Sequence, residues 1–128
     1  MAKVLVIEDE PKVRITLDML LRPQGYEVIH AANGLTGLQL YRQEHPDVVL
    51  LDLKMPKLDG VTVLTQIRSV DRTLPVVVLT GNTTPETERE VRALGVSGFI
   101  VKGSSLHSLG DTLKHLLKTP TLTPSSQP

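Results

Sequence analysis

The chain has 128 residues, no cysteine, and 14 basic against 14 acidic residues, so its formal net charge is zero. This length fits one domain, and the absence of cysteine excludes disulfide frameworks, thiolate zinc sites and cysteine nucleophiles, which indicates a reducing compartment, the cytoplasm. A neutral chain with three aromatic residues is not expected to bind nucleic acid directly. Its N-terminal apolar run, residues 4–7, is too short for a signal peptide core or a membrane span.

Five short apolar runs alternate with longer amphipathic stretches and predict five βα units. The strands are predicted at residues 4–7, 26–31, 48–51, 76–79 and 98–101. Three of these runs are apolar at consecutive positions, which is typical of parallel strands covered by helices on both faces. The sequence therefore predicts an α/β fold, a doubly wound (βα)5 sandwich with a five-stranded parallel sheet of flavodoxin-like order 2-1-3-4-5.

The stretches between the runs carry apolar residues at helical spacing. Residues that define four of these stripes are Val13, Leu17, Leu20 and Leu21; Leu35, Leu38 and Tyr41; Val61, Leu64 and Ile67; and Leu106, Leu109, Leu113, Leu116 and Leu117. The fourth helix, around residues 86–94, has a thin stripe of Val91 and Leu94, and we expect it to be the least firmly packed. Residues 119–128 contain three prolines and no charge, so we predict a disordered tail or truncated linker after a domain of residues 1–118.

Polar side chains follow four of the predicted strands. Glu8 and Asp9 follow the first strand, Asp52 the third, Thr80 the fourth and Lys102 the fifth. In the predicted strand order these residues converge at the carboxyl edge of the sheet, where the order reverses. Three neighbouring carboxylates repel one another, and Mg2+ is the cation that suits oxygen ligands of this kind. Asp52 would then be a nucleophile toward phosphorus, while Lys102 supplies positive charge and Thr80 a hydrogen-bond donor.

Four motifs give the sequence its family resemblance: VLVIEDE (residues 4–10), DVVLLDLKMPKLDG (47–60), VVVLTG (76–81) and GFIVK (98–102). With them the chain resembles the response regulator receiver domain of two-component signalling over residues 3 to about 118. The resemblance implies that Asp52 is the phosphorylated residue, that Asp9 binds Mg2+ directly and that Glu8 acts mainly through water. The main-chain carbonyl of Lys54 would complete the protein ligands of the metal.

The resemblance also implies how phosphorylation changes the protein. Thr80 would be drawn toward the phosphoryl group, and the aromatic ring of Phe99 would turn inward into the vacated space. One position departs from the family pattern, because Gly103 follows Lys102 where a proline in a cis peptide is usual. We expect either a trans bond with a reshaped loop or a cis bond that glycine tolerates.

The leading hypothesis is a phosphorylation-dependent signalling switch. It would accept a phosphoryl group from a histidine kinase or phosphotransfer protein and catalyse only its own modification and its hydrolysis, so it is not expected to be an enzyme otherwise. The alternative is a pseudo-receiver, an interaction module that works without phosphate. Taken singly, each site residue also fits a loop, a helix cap or a surface position, and Phe99 fits simple core packing. Their joint placement favours phosphoryl chemistry.

The partners implied are an output domain or downstream protein, and a phosphorylation-linked homodimer. The face formed by the fourth helix, fifth strand and fifth helix is the expected signalling surface. Binding to a membrane is not expected. The proline- and threonine-rich tail favours a receiver cut from a longer protein over a stand-alone regulator.

Overall fold

A single parallel sheet organises the protein. The computed structural model describes residues 1–81 and 83–122, and its five strands lie in the order β2-β1-β3-β4-β5. The strands are β1 (Lys3–Ile7), β2 (Glu27–Ala31), β3 (Val48–Asp52), β4 (Val76–Thr80) and β5 (Gly98–Val101). The predicted fold and strand order are confirmed. Strands β3 and β4 each run one residue further than predicted, so Asp52 and Thr80 are the last residues of their strands.

Five helices connect and follow the strands. They are α1 (Pro11–Leu21), α2 (Gly34–Glu44), α3 (Gly60–Val70), α4 (Pro85–Leu94) and α5 (Leu109–Leu122). Helices α2, α3 and α4 each begin at a side-chain cap, provided by Asn33, Asp59 and Thr84. Helix α5 continues to Leu122, so the first four residues of the predicted tail are helical, and residues 123–128 lie outside the described part of the chain. Among the described helices, none is both long and apolar enough to cross a bilayer.

The sheet has an apolar cluster on each face. Strands β3 and β4 are buried at all five positions because successive side chains enter opposite clusters. Helices α2, α3 and α4 cover one face, and α1 and α5 cover the other. In α4 Val91 is the one fully buried side chain, in agreement with the thin stripe predicted for this helix.

The predicted apolar stripe of α2 is only partly right. Leu35 is 54% exposed, and the buried positions of this helix are instead Gly34, Gly37 and Leu38. A Cβ atom at Gly37 would lie 2.7 Å from the Cδ1 atom of Ile7. The helix therefore packs against β1 through glycine, and an apolar-residue count cannot detect such a contact.

Arg68, a buried residue of α3, joins two segments of main chain. Its guanidinium group donates hydrogen bonds to the carbonyl oxygens of Gly95 at 2.8 and 3.0 Å, Leu74 at 2.8 Å and Asp71 at 2.9 Å. These carbonyls belong to the turn after α4 and to the connection between α3 and β4. The guanidinium therefore fastens the end of α4 to the end of α3.

Candidate functional site

Three carboxylates meet at the carboxyl edge of the sheet. Strands β1 and β3 are neighbours, with Ile7 paired to Leu51, so the residues that follow Ile7 lie beside Asp52. Glu8, Asp9 and Asp52 each offer an oxygen within 4.8 Å of the others. The side chain of Glu8 is fully buried, and Asp52 is 3% exposed. The structure thus brings together the three acids that the sequence singled out.

Lys102 reaches this cluster from the end of β5. Its main-chain N–H donates to the carbonyl of Thr80 at 2.8 Å, which fixes the end of β5 against β4. Its ammonium nitrogen lies 3.1 Å from Glu8 Oε1 and 3.3 Å from Asp52 Oδ2. It also donates hydrogen bonds to Glu8 Oε2 at 3.2 Å and to Glu10 Oε1 at 2.8 Å. One half-buried cation is therefore shared among three carboxylates.

The pKa values of these groups show that the site is short of positive charge. Burial, followed by the charge of Glu8, raises the pKa of Asp52 to about 7, although Lys102 partly opposes the change. Burial also raises the pKa of Glu8, against a hydrogen bond from the Glu10 N–H and the charge of Lys102. Burial lowers the pKa of Lys102, but its hydrogen bonds to Glu10 and Glu8 and the charge of Asp52 outweigh burial and raise the pKa.

The donor set of this cluster fits a hard divalent cation. Oε1 of Glu8 and Oδ2 of Asp52 are buried and have no hydrogen-bond partner among the described residues. The Lys102 ammonium is close to both oxygens but is not aligned for a hydrogen bond. Carboxylate oxygens left without donors are ligands that Mg2+ prefers. Lys54, whose carbonyl is the predicted fourth ligand, lies beside the site and its N–H is 3.4 Å from Asp52 Oδ1.

A cavity of about 450 Å3 opens above the carboxylates. It is lined by Asp9, Glu10, Asp52, Lys54, Thr80, Gly81 and Lys102. The lining contains acidic, cationic and hydroxyl side chains in one space, which is the combination that phosphoryl chemistry requires. Thr80 is buried at the end of β4 and contributes to this wall.

The loop after Asp52 is held close to the site by a glycine. A Cβ atom at Gly60 would lie 2.3 Å from the carbonyl oxygen of Asp52 and 2.7 Å from Cα of Leu53. The N–H of Gly60 donates to the Leu53 carbonyl at 2.9 Å. The first turn of α3 is therefore packed directly against the main chain that carries Asp52.

The end of β5 carries two further features, a contact between Arg92 and Phe99 and the peptide bond between Lys102 and Gly103. Phe99 is half-buried against the cluster formed with α2, α3 and α4, and the Arg92 guanidinium lies 4.4 Å from the centroid of its ring. The peptide bond between Lys102 and Gly103 is trans, and Gly103 has a φ of 92°, a conformation that favours glycine. Of the two predicted alternatives for this peptide bond, the trans form is correct.

Sequence reasoning missed Glu10 as a member of the site. It stands third in an acidic run, Glu8-Asp9-Glu10, and its proximity to the strand end was the available signal. Its partner, Lys102, is 92 positions away in the chain. No spacing rule connects the two residues.

The family model of the response regulator receiver domain matches residues 4–114. The chain belongs to this family. Receiver domains are signalling modules that bind Mg2+ at an acidic pocket and interact with histidine kinases and output domains. In this chain the acids Glu8, Asp9 and Asp52 form a cluster in which Glu8 and Asp52 are buried.

Two curated proteins illustrate how the receiver domain is used. The virulence-factor transcription regulator BvgA of Bordetella pertussis is 36% identical over 125 residues, which are 97% of this chain and 60% of BvgA. Sporulation initiation phosphotransferase F of Bacillus subtilis is 31% identical over 115 residues, which are 90% of this chain and 93% of that protein. The chain therefore spans about three-fifths of the length of BvgA and nearly all of the phosphotransferase.

Solved structures agree with the fold. The chemotaxis protein CheY4 of Vibrio cholerae superposes with a TM-score of 0.83 and 34% identity, covering 91% of this chain and 99% of that one. The receiver domain of a signal transduction histidine kinase from Syntrophus aciditrophicus gives a TM-score of 0.84 and 25% identity, covering 100% of this chain and 97% of that one. The same fold thus serves proteins of different overall organisation.

Proposed function

We propose that this receiver domain is a phosphorylation-operated switch whose phosphoacceptor is Asp52. The observation that carries the proposal is the position of the Lys102 ammonium, 3.3 Å from Asp52 Oδ2 inside a cluster of three buried or half-buried acids. A lone carboxylate at a strand end would have an ordinary structural interpretation. A carboxylate paired with a half-buried lysine and facing a polar cavity supports nucleophilic chemistry.

The reaction transfers a phosphoryl group from a phosphohistidine of a kinase or phosphotransfer protein. An oxygen of the Asp52 carboxylate attacks phosphorus, the P–N bond breaks as the P–O bond forms, and the leaving imidazole nitrogen takes a proton from solvent. Lys102 and Thr80 donate hydrogen bonds to the phosphoryl oxygens. Glu8, Asp9, Asp52 and the main-chain carbonyl of Lys54 would hold a Mg2+ ion, which would supply positive charge to the acids and to the transferred group. The same site then hydrolyses the acyl phosphate.

The signal leaves the site through Thr80 and Phe99. Movement of Thr80 toward the phosphoryl group opens space into which the half-buried ring of Phe99 turns. Fully burying such a ring is worth about 1.5 to 3 kcal/mol, whereas reversing a 1:99 equilibrium takes about 5.5 kcal/mol. The contacts of Thr80 and Lys102 to the phosphoryl group must therefore provide the remainder.

The changed surface is the one formed by α4, β5 and α5. Val101 of β5 is 54% exposed there. We propose that this surface binds a downstream protein, an output domain or a second copy of the receiver domain, and that the protein acts in the cytoplasm without contacting nucleic acid through this domain.

Acetyl phosphate provides the direct test. With Mg2+ the protein should gain the mass of one phosphoryl group, and peptide mapping should place it on Asp52. The label should be absent with Asp52→Asn and with a chelator, and retained with Asp111→Asn, which changes an exposed aspartate of α5. If neither acetyl phosphate nor beryllofluoride modifies the protein, the phosphorylation-independent alternative replaces this proposal.

A further inference from the structure

Glu10 occupies a helix-capping position but does not cap the helix. It is the residue before α1, and its side chain makes no hydrogen bond to the first turn of that helix. The carboxylate instead accepts a hydrogen bond from Lys102 at 2.8 Å. The side chain of Glu10 is 57% exposed, whereas that of Lys102 is 15% exposed. Glu10 therefore reaches from the rim of the cavity to a cation that is nearly enclosed.

This contact is the shortest that the Lys102 ammonium makes with any carboxylate. Its distances to Glu8 are 3.1 and 3.2 Å, and its distance to Asp52 is 3.3 Å. The hydrogen bonds to Glu10 and Glu8 are also the leading reasons that the pKa of Lys102 rises despite burial. Glu10 thus contacts the ammonium more closely than Glu8 or Asp52 does.

We propose that Glu10 is a positioning residue that competes with a phosphoryl group on Asp52 for the Lys102 ammonium. This inference rests on the proposed function, in which Lys102 binds the phosphoryl oxygens. As the ammonium turns to those oxygens, its contact with Glu10 lengthens. Glu10 consequently weakens the phosphorylated state and sets how tightly the site holds a phosphoryl group.

Glu10→Gln removes the charge and keeps the size of the side chain. An ion pair with one exposed partner contributes about 0.2 to 1 kcal/mol, so the variant should bind beryllofluoride about 1.4- to fivefold more tightly at saturating Mg2+. Calorimetry suits the measurement because the chain has no tryptophan to report binding. Glu27→Gln is the matched control, since Glu27 is exposed at the opposite edge of the sheet, in β2.

Two further measurements separate positioning from other effects. Without beryllofluoride, Glu10→Gln should bind Mg2+ more weakly than the wild-type protein, because the released Lys102 pairs more firmly with Glu8 and Asp52. Damage to the structure would instead weaken binding of both Mg2+ and beryllofluoride. In a Lys102→Gln background, Glu10→Gln should leave the beryllofluoride affinity unchanged, whereas simple repulsion between Glu10 and the anion would persist.

The outcomes distinguish this inference from the proposed function. If the wild-type protein binds beryllofluoride with Mg2+ but Glu10→Gln has the same or lower affinity, Glu10 does not compete for Lys102 and the inference is wrong while the switch stands. The inference is also overturned if the gain survives in the Lys102→Gln background. If the wild-type protein fails to bind beryllofluoride at all, both the switch and the role of Glu10 are overturned.

Discussion

Replacing Asp52 by asparagine should stabilise the Mg2+-free protein at neutral and alkaline pH. The pKa of the carboxyl rises from 3.8 to about 7 on folding, mainly through burial and then through the charge of Glu8. At about 1.4 kcal/mol for each pKa unit, ionising this group costs roughly 4 kcal/mol of folding stability above pH 7. Asparagine also removes one partner of Lys102, so we expect a net gain of about 2 to 4 kcal/mol.

The pH dependence of the gain follows from the sign of the pKa change. A carboxyl whose pKa is raised by folding binds more protons in the folded state, so wild-type stability falls as the pH rises from 3.8 to about 7. Asp52→Asn lacks this loss, and the two proteins should converge toward pH 4. Added Mg2+ should stabilise the wild-type protein by about 2.7 kcal/mol at a hundredfold excess over its dissociation constant, and the variant by less.

Urea unfolding followed by circular dichroism, at several pH values and with a chelator or Mg2+, measures both effects. Asp111→Asn is the control, because its carboxyl is exposed on α5. A variant that is less stable than the wild-type protein at pH 8 without Mg2+ would refute the reasoning. So would a difference that does not change with pH.

Three other substitutions test separate features. Arg68→Met leaves the carbonyls of Gly95 and Leu74 without their donor, and it should lower the free energy of unfolding by about 2 to 4 kcal/mol in urea titrations while acetyl phosphate still labels the protein. Gly60→Ala places a methyl group 2.3 Å from the Asp52 carbonyl oxygen, and the displaced main chain should slow labelling about ten- to a hundredfold in timed mass spectrometry. Arg92→Gln removes the cation that lies 4.4 Å from the centroid of the half-buried Phe99 ring; because the ring then turns inward more readily, calorimetry should show about two- to fivefold tighter beryllofluoride binding.

Each of these three predictions would be contradicted by a specific result. Wild-type stability in Arg68→Met would mean that the carbonyls find other donors, and Arg72→Met is its control because Arg72 is exposed. Unchanged labelling in Gly60→Ala would mean that the loop moves without moving Asp52. If Arg92→Gln binds beryllofluoride more weakly than Arg89→Gln, a change at an exposed neighbour on α4, then Arg92 favours the inward turn of the Phe99 ring instead of opposing it.

The strands and most of the site could be predicted because they depend on local patterns. Strands buried on both faces are apolar at every position, as β4 is from Val76 to Leu79. Parallel strands also end at one edge, so the residue that follows or ends each strand is a candidate for the same site. That rule located Glu8, Asp9, Asp52, Thr80 and Lys102 without any information on side-chain direction. It placed their main chains, and their side chains do converge.

The features that escaped prediction depend on side-chain direction over long separations. The Arg68 guanidinium contacts Gly95, which is 27 positions away, and Glu10 contacts a lysine 92 positions away. Both residues look like ordinary charged surface positions in the sequence. The prediction of the α2 stripe was only partly right for a related reason. Gly37 allows close packing on Ile7, and a hydrophobicity pattern does not register such a contact.

The charge balance of the site explains why its residues are arranged against the stability of the fold. Three carboxylates contact the Lys102 ammonium, two of them are buried, and two buried oxygens have no hydrogen-bond partner among the described residues. A protein selected only for stability would replace such a group by neutral or apolar residues. An unsatisfied acidic pocket is instead what a cation and a phosphoryl group can complete, and residues under strain of this kind are concentrated at functional sites. The instability attributed to Asp52 and the competition attributed to Glu10 thus have one origin. Lys102 alone cannot neutralise the neighbouring acids, and their charge is balanced in full only when a cation and a phosphoryl group are bound.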